Sequence, residues 1–422
     1  MQFRQLECAK SMLIYGYGTE GQASQKFLQQ RFKKADIEVF DDAQPEISTT
    51  RDLSEFDVIV VSPGISRERF SVQLHDKLTS QVEIFFHNLT EIQRQKIIGV
   101  TGTKGKSTTT KLISEVLANA GKKVLIGGNF GVPVLSFYDT LNAYDFAVLE
   151  LSSYQLEFLD ISPHVAIFTN FYNDHMDRHY TVEAYFEAKS HIFSRQIEGD
   201  ITIVSTNHES FLPPFSQTIV QWSLPSKLIL AKSLSAEYFP QSSTFRAPHL
   251  LQNLGLVQAL CVELEIPESI LKKTTMAFAG LEHRLEYVDT KFGIAFINDA
   301  NATTPDASVA AMQFVGDKLG SVIVGGLDRG YDFSQMVDAI IAKNCWVIVL
   351  KSTAGDKVMS LLAEKKYAKI QLVYTMPEIV RTGFEVTPRG KTCLLSMGSP
   401  SYGYFKNFEE KGTLFKQLIR QR

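Results

Sequence analysis

Ile97-Ile98-Gly99-Val100-Thr101-Gly102-Thr103-Lys104-Gly105-Lys106-Ser107-Thr108 is the stretch of this 422-residue chain from which its fold class is read. An apolar, β-branched run passes directly into a glycine-rich turn, and a helix-like segment, residues 109–120, follows. Strand, turn and helix in that order read as a phosphate loop. Glycines and small residues let backbone N–H groups face phosphate oxygens, Lys106 adds a positive charge, and the Ser107 hydroxyl can ligate Mg²⁺. The strict spacing G-x-x-x-x-G-K-S is not met, because Val100 stands where its first glycine would be. A glycine-rich βα turn without a nucleotide is therefore the alternative.

Working outward, short β-branched runs recur with helix-like segments between them, at residues 12–15, 58–61, 97–101, 124–126, 147–151, 165–169, 201–204, 294–297, 322–324 and 347–350. Such alternation predicts parallel α/β sheets. Breaks in the pattern near residues 91–95 and 280–284 divide the chain into three expected domains, 1–92, 93–280 and 281–422. The first and last read as Rossmann-like, and the middle one as a parallel sheet built around the phosphate loop.

Composition narrows the function. The 43 Lys+Arg against 46 Asp+Glu leave a net charge of -3, which gives no global attraction to nucleic acid or anionic lipid, so neither is an expected partner. The four cysteines, Cys8, Cys261, Cys345 and Cys393, show no paired C-x-x-C spacing, so neither a zinc cluster nor a disulfide framework is indicated, and a reducing cytoplasm is the expected home. No apolar window approaches the length of a membrane span, and the N-terminal stretch lacks an export signal.

Four further groups of residues bear on chemistry. Gly16-Tyr17-Gly18-Thr19-Glu20-Gly21 follows an apolar strand, the setting in which a glycine turn lets a helix N-terminus approach a diphosphate. A second strand ending at Phe40-Asp41-Asp42 places an acid where it could bond a ribose or base. A dinucleotide dehydrogenase would begin in the same way, but nothing later resembles a hydride-transfer site, and a Rossmann-like turn without ligand is the plainer alternative. Glu150 closes the run Val148-Leu149-Glu150, a sheet-edge position from which a metal ligand is expected. The cluster Asn170-Phe171-Tyr172-Asn173-Asp174-His175-Met176-Asp177 gathers imidazole and carboxylates where Mg²⁺ and phosphates would lie. Taken alone, His175 fits a structural role as well as a functional one, and Lys189 reads as an ordinary surface lysine of a helix.

Taken together these stretches resemble the Mur ligase family over nearly the whole chain. The resemblance also rests on Gly127-Gly128-Asn129-Phe130-Gly131, Leu149-Glu150-Leu151-Ser152-Ser153-Tyr154-Gln155-Leu156-Glu157, Asp174-His175-Met176-Asp177-Arg178, Ala188-Lys189, His283-Arg284, Asn298-Asp299 and Phe405-Lys406-Asn407-Phe408-Glu409. It is nearest to the members that join D-glutamate to UDP-N-acetylmuramoyl-L-alanine at the expense of ATP. By that resemblance, Gly16, Tyr17, Gly18, Asp41, Ser62 and Gly64 would hold the UDP moiety. Gly102, Thr103, Lys104, Gly105, Lys106, Ser107 and Thr108 would hold ATP phosphates, with Ser107 and Glu150 at one Mg²⁺ and His175 at a second. Lys189 would be carbamylated and would share that second Mg²⁺.

The same resemblance implies that Asn129 contacts the muramoyl-alanine end and that Asn253, Arg284 and Asp299 face ATP. It assigns Asp328, Arg329, Ser401 and Phe408 to the incoming glutamate, with Lys351 a weaker candidate. Lys106, His175 and Lys189 are the implied catalytic residues, His175 or Asp174 the acceptor of the amine proton, and a monomer is expected.

The chain departs from the family pattern at Lys104, Leu250, Ala300 and Asn301, and most of all across residues 396–403, where Gly403 stands in place of an aspartate. An L-glutamate-adding relative, another Mur-type ligase and a catalytically silent nucleotide binder are the alternatives that remain open. A folylpolyglutamate synthetase shares the central chemistry, but that class lacks an N-terminal nucleotide domain of this kind.

Overall fold

Three short runs near the N-terminus, two of them mainly apolar and one alternating acidic with apolar residues, become the strands β1 (Ser11–Tyr15), β3 (Val58–Val61) and, between them in sequence, β2 (Asp36–Phe40). With β4 (Leu78–Thr79) they form a sheet of order β2-β1-β3-β4, every pairing parallel. β1 and β3 are buried at every position, as strands covered on both faces must be. The chain leaves β1 for β2 on one side and returns to β3 on the other, so a crevice opens beyond the C-terminal ends of β1 and β3.

The second sheet holds β5 (Ile97–Thr101), β6 (Val124–Gly128), β7 (Phe146–Glu150), β8 (Val165–Phe168), β9 (Ile201–Ser205) and β10 (Lys227–Ala231). Its order is β10-β9-β8-β5-β7-β6, again parallel throughout. Reversal of strand order at β5 puts the crevice beyond β5, β7 and β8. The helix Lys106–Asn119 covers this sheet with Thr109, Leu112, Ile113, Val116 and Leu117, a stripe at three- and four-residue spacing. It ends where Gly121 takes φ +80° and the Gly121 N–H bonds the Ala118 carbonyl.

The model, a computed structural model, describes residues 1–205, 224–235, 248–278, 280–401 and 403–422. Tyr402, within the divergent 396–403 segment, lies outside them. Both sheets above belong to one compact unit, Met1–Phe278, and a second unit spans Ala279–Arg422.

The second unit contains β11 (Glu286–Lys291), β12 (Ile294–Asn298), β13 (Leu319–Val324), β14 (Trp346–Leu350), β15 (Ile370–Val373) and β16 (Thr392–Leu395), in the order β11-β12-β16-β13-β14-β15. This sheet is mixed: β11 pairs antiparallel with β12, while the other pairings are parallel. The expected parallel α/β sheet is present and carries one antiparallel strand at this edge. Glu286-Tyr287-Val288-Asp289-Thr290-Lys291 is polar enough to sit at a sheet margin, and a tight Phe292-Gly293 turn, both residues at positive φ, suffices to reverse the chain.

Candidate active site

The phosphate loop is pinned to the segment that follows β8. Thr103 N–H donates to the Asn170 carbonyl at 2.9 Å, and Lys104 N–H donates to Asn170 Oδ1 at 2.8 Å. Thr169 Oγ1 and Asn170 Nδ2 both donate to the Lys104 carbonyl, at 2.7 and 2.9 Å. Gly102 is obligatory in this arrangement, since a Cβ there, at φ +144°, would lie 2.0 Å from Thr169 Oγ1. Gly105 caps the helix Lys106–Asn119 in the left-handed region, and no side chain caps that end or places an acid in its first turn. Helix N–H groups and a helix dipole therefore meet at Lys106, Ser107 and Thr108, which suits an anion. Asn253, 3% exposed, packs against the loop, its Nδ2 lying 2.6 Å from where a Cβ on Gly105 would be.

Glu150 ends β7 beside this loop and is buried. Its Oε1 accepts from Asn129 Nδ2 at 2.7 Å, while Oε2 has no hydrogen-bond partner among the described residues. A buried carboxylate oxygen without a donor is costly, and a cation is the group that relieves it. Ser107 in the first helical turn and this oxygen thus fit Mg²⁺ as donors of the right chemistry.

Lys189 corrects the surface-lysine reading. It is 1% exposed in the helix Val182–Ser190, donates to the Gly102 carbonyl at 2.9 Å and lies 4.8 Å from the centre of the Tyr185 ring. Burial, and secondarily the neighbouring Lys106 ammonium, push its amine well below the usual lysine range. Lys106 Nζ donates to the same Gly102 carbonyl at 2.9 Å and to Thr103 O at 3.0 Å. A buried amine held toward its neutral form is what carbamylation requires.

His175 sits at φ +57°, with Nδ1 2.9 Å from the Tyr154 hydroxyl, and its N–H donates to Asp174 Oδ1 at 3.0 Å. Asp174 Oδ2 pairs with Lys104 Nζ at 3.0 Å. Burial works against the charged Asp174, but Lys104 and His175 outweigh it and hold the carboxyl below its ordinary range. Tyr154 stands in the stretch 149–157 without an assigned role, and sequence reasoning missed Tyr185. Tyr185 lies four residues before Lys189, one helical turn away, and its hydroxyl donates to Thr103 Oγ1 at 3.2 Å; that spacing is the only sequence signal that could have found it.

Around β1, Gly16 takes φ +92°, Tyr17 and Gly18 lead into the helix Thr19–Arg31, and Ser62 Oγ donates to the Gly16 carbonyl at 2.7 Å. Gly64 is exposed on the same rim. Asp41 uses its two oxygens on backbone, accepting from Tyr17 N–H at 2.6 Å and Ala43 N–H at 2.9 Å. It therefore shapes the glycine turn directly. Glu20 Oε1, in the first turn of the helix Thr19–Arg31, accepts from Gln155 Nε2 at 2.6 Å, tying it to the segment after Glu150.

In the second unit, Arg284 and Asp299 lie near the C-terminal end of β12. Asp299 accepts from Leu285 N–H at 3.1 Å and from Ser396 Oγ at 2.8 Å, and its burial raises its pKa. Lys411, which sequence reasoning missed, is fully buried in the helix Phe408–Arg420; Nζ has no hydrogen-bond partner among the described residues, and burial pushes its pKa down to about 8. Phe408 opens that helix with its ring edge-on to His283. Asp328 pairs with Lys357 at 2.5 Å, which holds its carboxyl below the usual range, and Arg329 follows it on the loop after β13. Ser401 is buried, and the divergent segment before it is stitched to that loop through Ser399 Oγ on the Leu327 carbonyl and Leu327 N–H on Pro400 O. Lys351 is taken up by Asp356 at 2.7 Å.

Comparison with known proteins gives a consistent picture. A family model for the Mur ligase middle domain matches residues 100–243. The UDP-N-acetylmuramoylalanine--D-glutamate ligase of Thermoanaerobacter pseudethanolicus is 29% identical over 98% of this chain and 98% of its own. The protein of the same name from Caldanaerobacter subterraneus subsp. tengcongensis is 31% identical over 87% of this chain and 84% of its own. Among solved structures, UDP-N-acetylmuramate-alanine ligase from Thermotoga maritima aligns with a TM-score of 0.57 at 16% identity, covering 98% of this chain and 99% of that one, a likeness of fold.

Proposed function

The chain belongs to the Mur ligase family, and from that premise we propose that it joins D-glutamate to UDP-N-acetylmuramoyl-L-alanine with ATP, in the synthesis of peptidoglycan precursors. The observation that carries this reading is the meeting, on one carbonyl and one sheet edge, of Lys106, Lys189 and the orphaned Glu150 oxygen beside a helix N-terminus.

A carboxylate is a poor electrophile, so the alanine carboxylate first attacks the γ-phosphorus of ATP, releasing ADP and leaving an acyl phosphate. Two anions must approach each other for this. Lys106 and the N–H groups of residues 106–108 offset their repulsion, since phosphoryl transfer is catalysed chiefly by positioning and electrostatics. Ser107 and Glu150 would hold one Mg²⁺, and His175 with carbamylated Lys189 a second, which when bound would supply further charge neutralisation. The glutamate ammonium must first lose a proton; the free amine then attacks the acyl carbon, phosphate leaves, and the new amide nitrogen sheds its second proton to solvent. In this reading Asp174, paired with Lys104, takes the first proton, or His175, whose Nδ1 meets the Tyr154 hydroxyl, takes it where it does not hold Mg²⁺.

In this reading Gly16, Tyr17, Gly18, Ser62 and Gly64 receive the UDP diphosphate, with Asp41 holding the turn, and Asn129 meets the muramoyl-alanine end. Asn253, Arg284 and Asp299 serve ATP. Asp328, Arg329, Ser401 and Phe408 serve glutamate. The expected compartment is the reducing cytoplasm, in keeping with four free cysteines.

The test mixes protein, Mg²⁺, ATP and UDP-N-acetylmuramoyl-L-alanine with D- or L-glutamate and follows phosphate release with product mass and chirality. Product with D-glutamate alone is expected. Product with L-glutamate alone reassigns the amino acid, and ATP binding without turnover rejects the ligase reading.

A further inference from the structure

His175 and the loop that follows β3 belong to different sheets, yet one side chain joins them. Arg178 lies in the four-residue helix Met176–His179 that His175 begins, and its side chain is 12% exposed. Its Nη1 donates to Ser66 Oγ at 2.9 Å and its Nη2 to the Ile65 carbonyl at 3.2 Å, both on the loop after β3. The same Nη2 donates to Glu157 Oε2 at 2.6 Å. The guanidinium carbon stands 5.3 Å from the centre of the Tyr154 ring, and the Tyr154 hydroxyl is the group that holds His175 Nδ1.

The loop it grips is itself built onto the glycine turn. Ser62 Oγ bonds the Gly16 carbonyl, and Ile65 Cδ1 lies 2.7 Å from where a Cβ on Gly16 would be. The segment on the other side is strained: His175 and Tyr180, which flank the Arg178 helix, take φ +57° and +61°. Non-glycine residues hold such backbone only where their surroundings impose it. Arg178 reaches from that short helix to Ser66, Ile65 and Glu157, and a planar guanidinium can satisfy several acceptors at fixed angles where a lysine ammonium cannot.

We propose that Arg178 is a positioning residue that couples the 62–66 loop, and so the glycine turn it supports, to the placement of His175. This rests on the proposed function only for its kinetic consequence. A ligand that orders residues 62–66 would thereby set His175, and the nucleotide-linked substrate would help complete the catalytic geometry.

Hydrogen exchange on the full chain tests the coupling without any assumption about the reaction. In Arg178→Met, exchange is expected to rise in both 62–66 and 174–180, with the phosphate loop unchanged. A rise confined to 174–180 overturns the proposal, because a merely local role would produce it. Ser66→Ala removes one of the two hydrogen bonds from the opposite side, keeping that to the Ile65 carbonyl, and should loosen 174–180 by less than Arg178→Met does; unaltered exchange there overturns the proposal equally, and this milder variant decides the matter if Arg178→Met does not fold. In steady-state assays with UDP-N-acetylmuramoyl-L-alanine, kcat should fall about 10²-fold in Arg178→Met, with the KM for ATP within about twofold of the parent and little rescue in Arg178→Lys. A parent chain that fails to ligate counts against the proposed function, whereas the exchange result still decides the coupling.

Discussion

Asp299 shows how one buried carboxylate can divide stability from activity. Both oxygens are hydrogen-bonded, yet burial raises its pKa. A carboxyl whose folded pKa lies above its unfolded value imposes no penalty in acid, where both states are protonated. The penalty grows as pH climbs past the unfolded pKa and is complete above the folded one. Asp299→Asn keeps the shape and an acceptor for Leu285 N–H, so its thermal midpoint should match the parent near pH 3.5 and exceed it by roughly 2–4 °C at pH 7, measured by calorimetry, while ATP turnover falls. An unchanged difference across that pH range would show that Asp299 carries no such burden. Residues of this kind differ in how far they can be read from sequence. Lys106 and Glu150 are legible because strand-end position and neighbouring glycines announce them. Lys189 is not, because its burial depends on a carbonyl 87 residues away in the chain.

Among elements, the strand-turn-helix around Gly102 separates packing from chemistry. Leu112, fully buried on the inner stripe of the helix Lys106–Asn119, anchors that helix to its sheet. Leu112→Ala should cost about 2–5 kcal/mol in urea unfolding. Gly102→Ala should leave the helix but displace the loop, since the new methyl would collide with Thr169 and the Asn170 backbone; nucleotide affinity, followed by calorimetric titration, should collapse. The strands legible in sequence are the β-branched apolar runs, which need no partner to be recognised, such as β5 and β14. Five were not anticipated. β4 has two residues, β10 and β15 lie at sheet edges and each include one polar residue, β11 is polar and antiparallel, and β16 is a four-residue Thr-Cys-Leu-Leu with only one β-branched member.

For the whole molecule, the first two sheets share one apolar cluster. Leu28, Phe85 and Phe86 of the N-terminal part pack in a group with Phe137, Leu141 and Phe168. A fragment of residues 1–92 would expose that face and should aggregate or fail to give a cooperative thermal transition, whereas 1–278 should fold; a soluble, cooperative 1–92 would show the N-terminal sheet to be self-sufficient. Because the two compact units are contiguous, meeting at Phe278 and Ala279, a single peptide bond is their covalent link there. That tether supplies an effective concentration, typically millimolar for short connections. If residues of both units serve one reaction, then 1–278 and 279–422 produced separately and mixed should ligate at a rate that rises with the concentration of each half, while the intact chain keeps a constant turnover per molecule on dilution. Covalent continuity at one peptide bond would thus turn a bimolecular encounter into an intramolecular one.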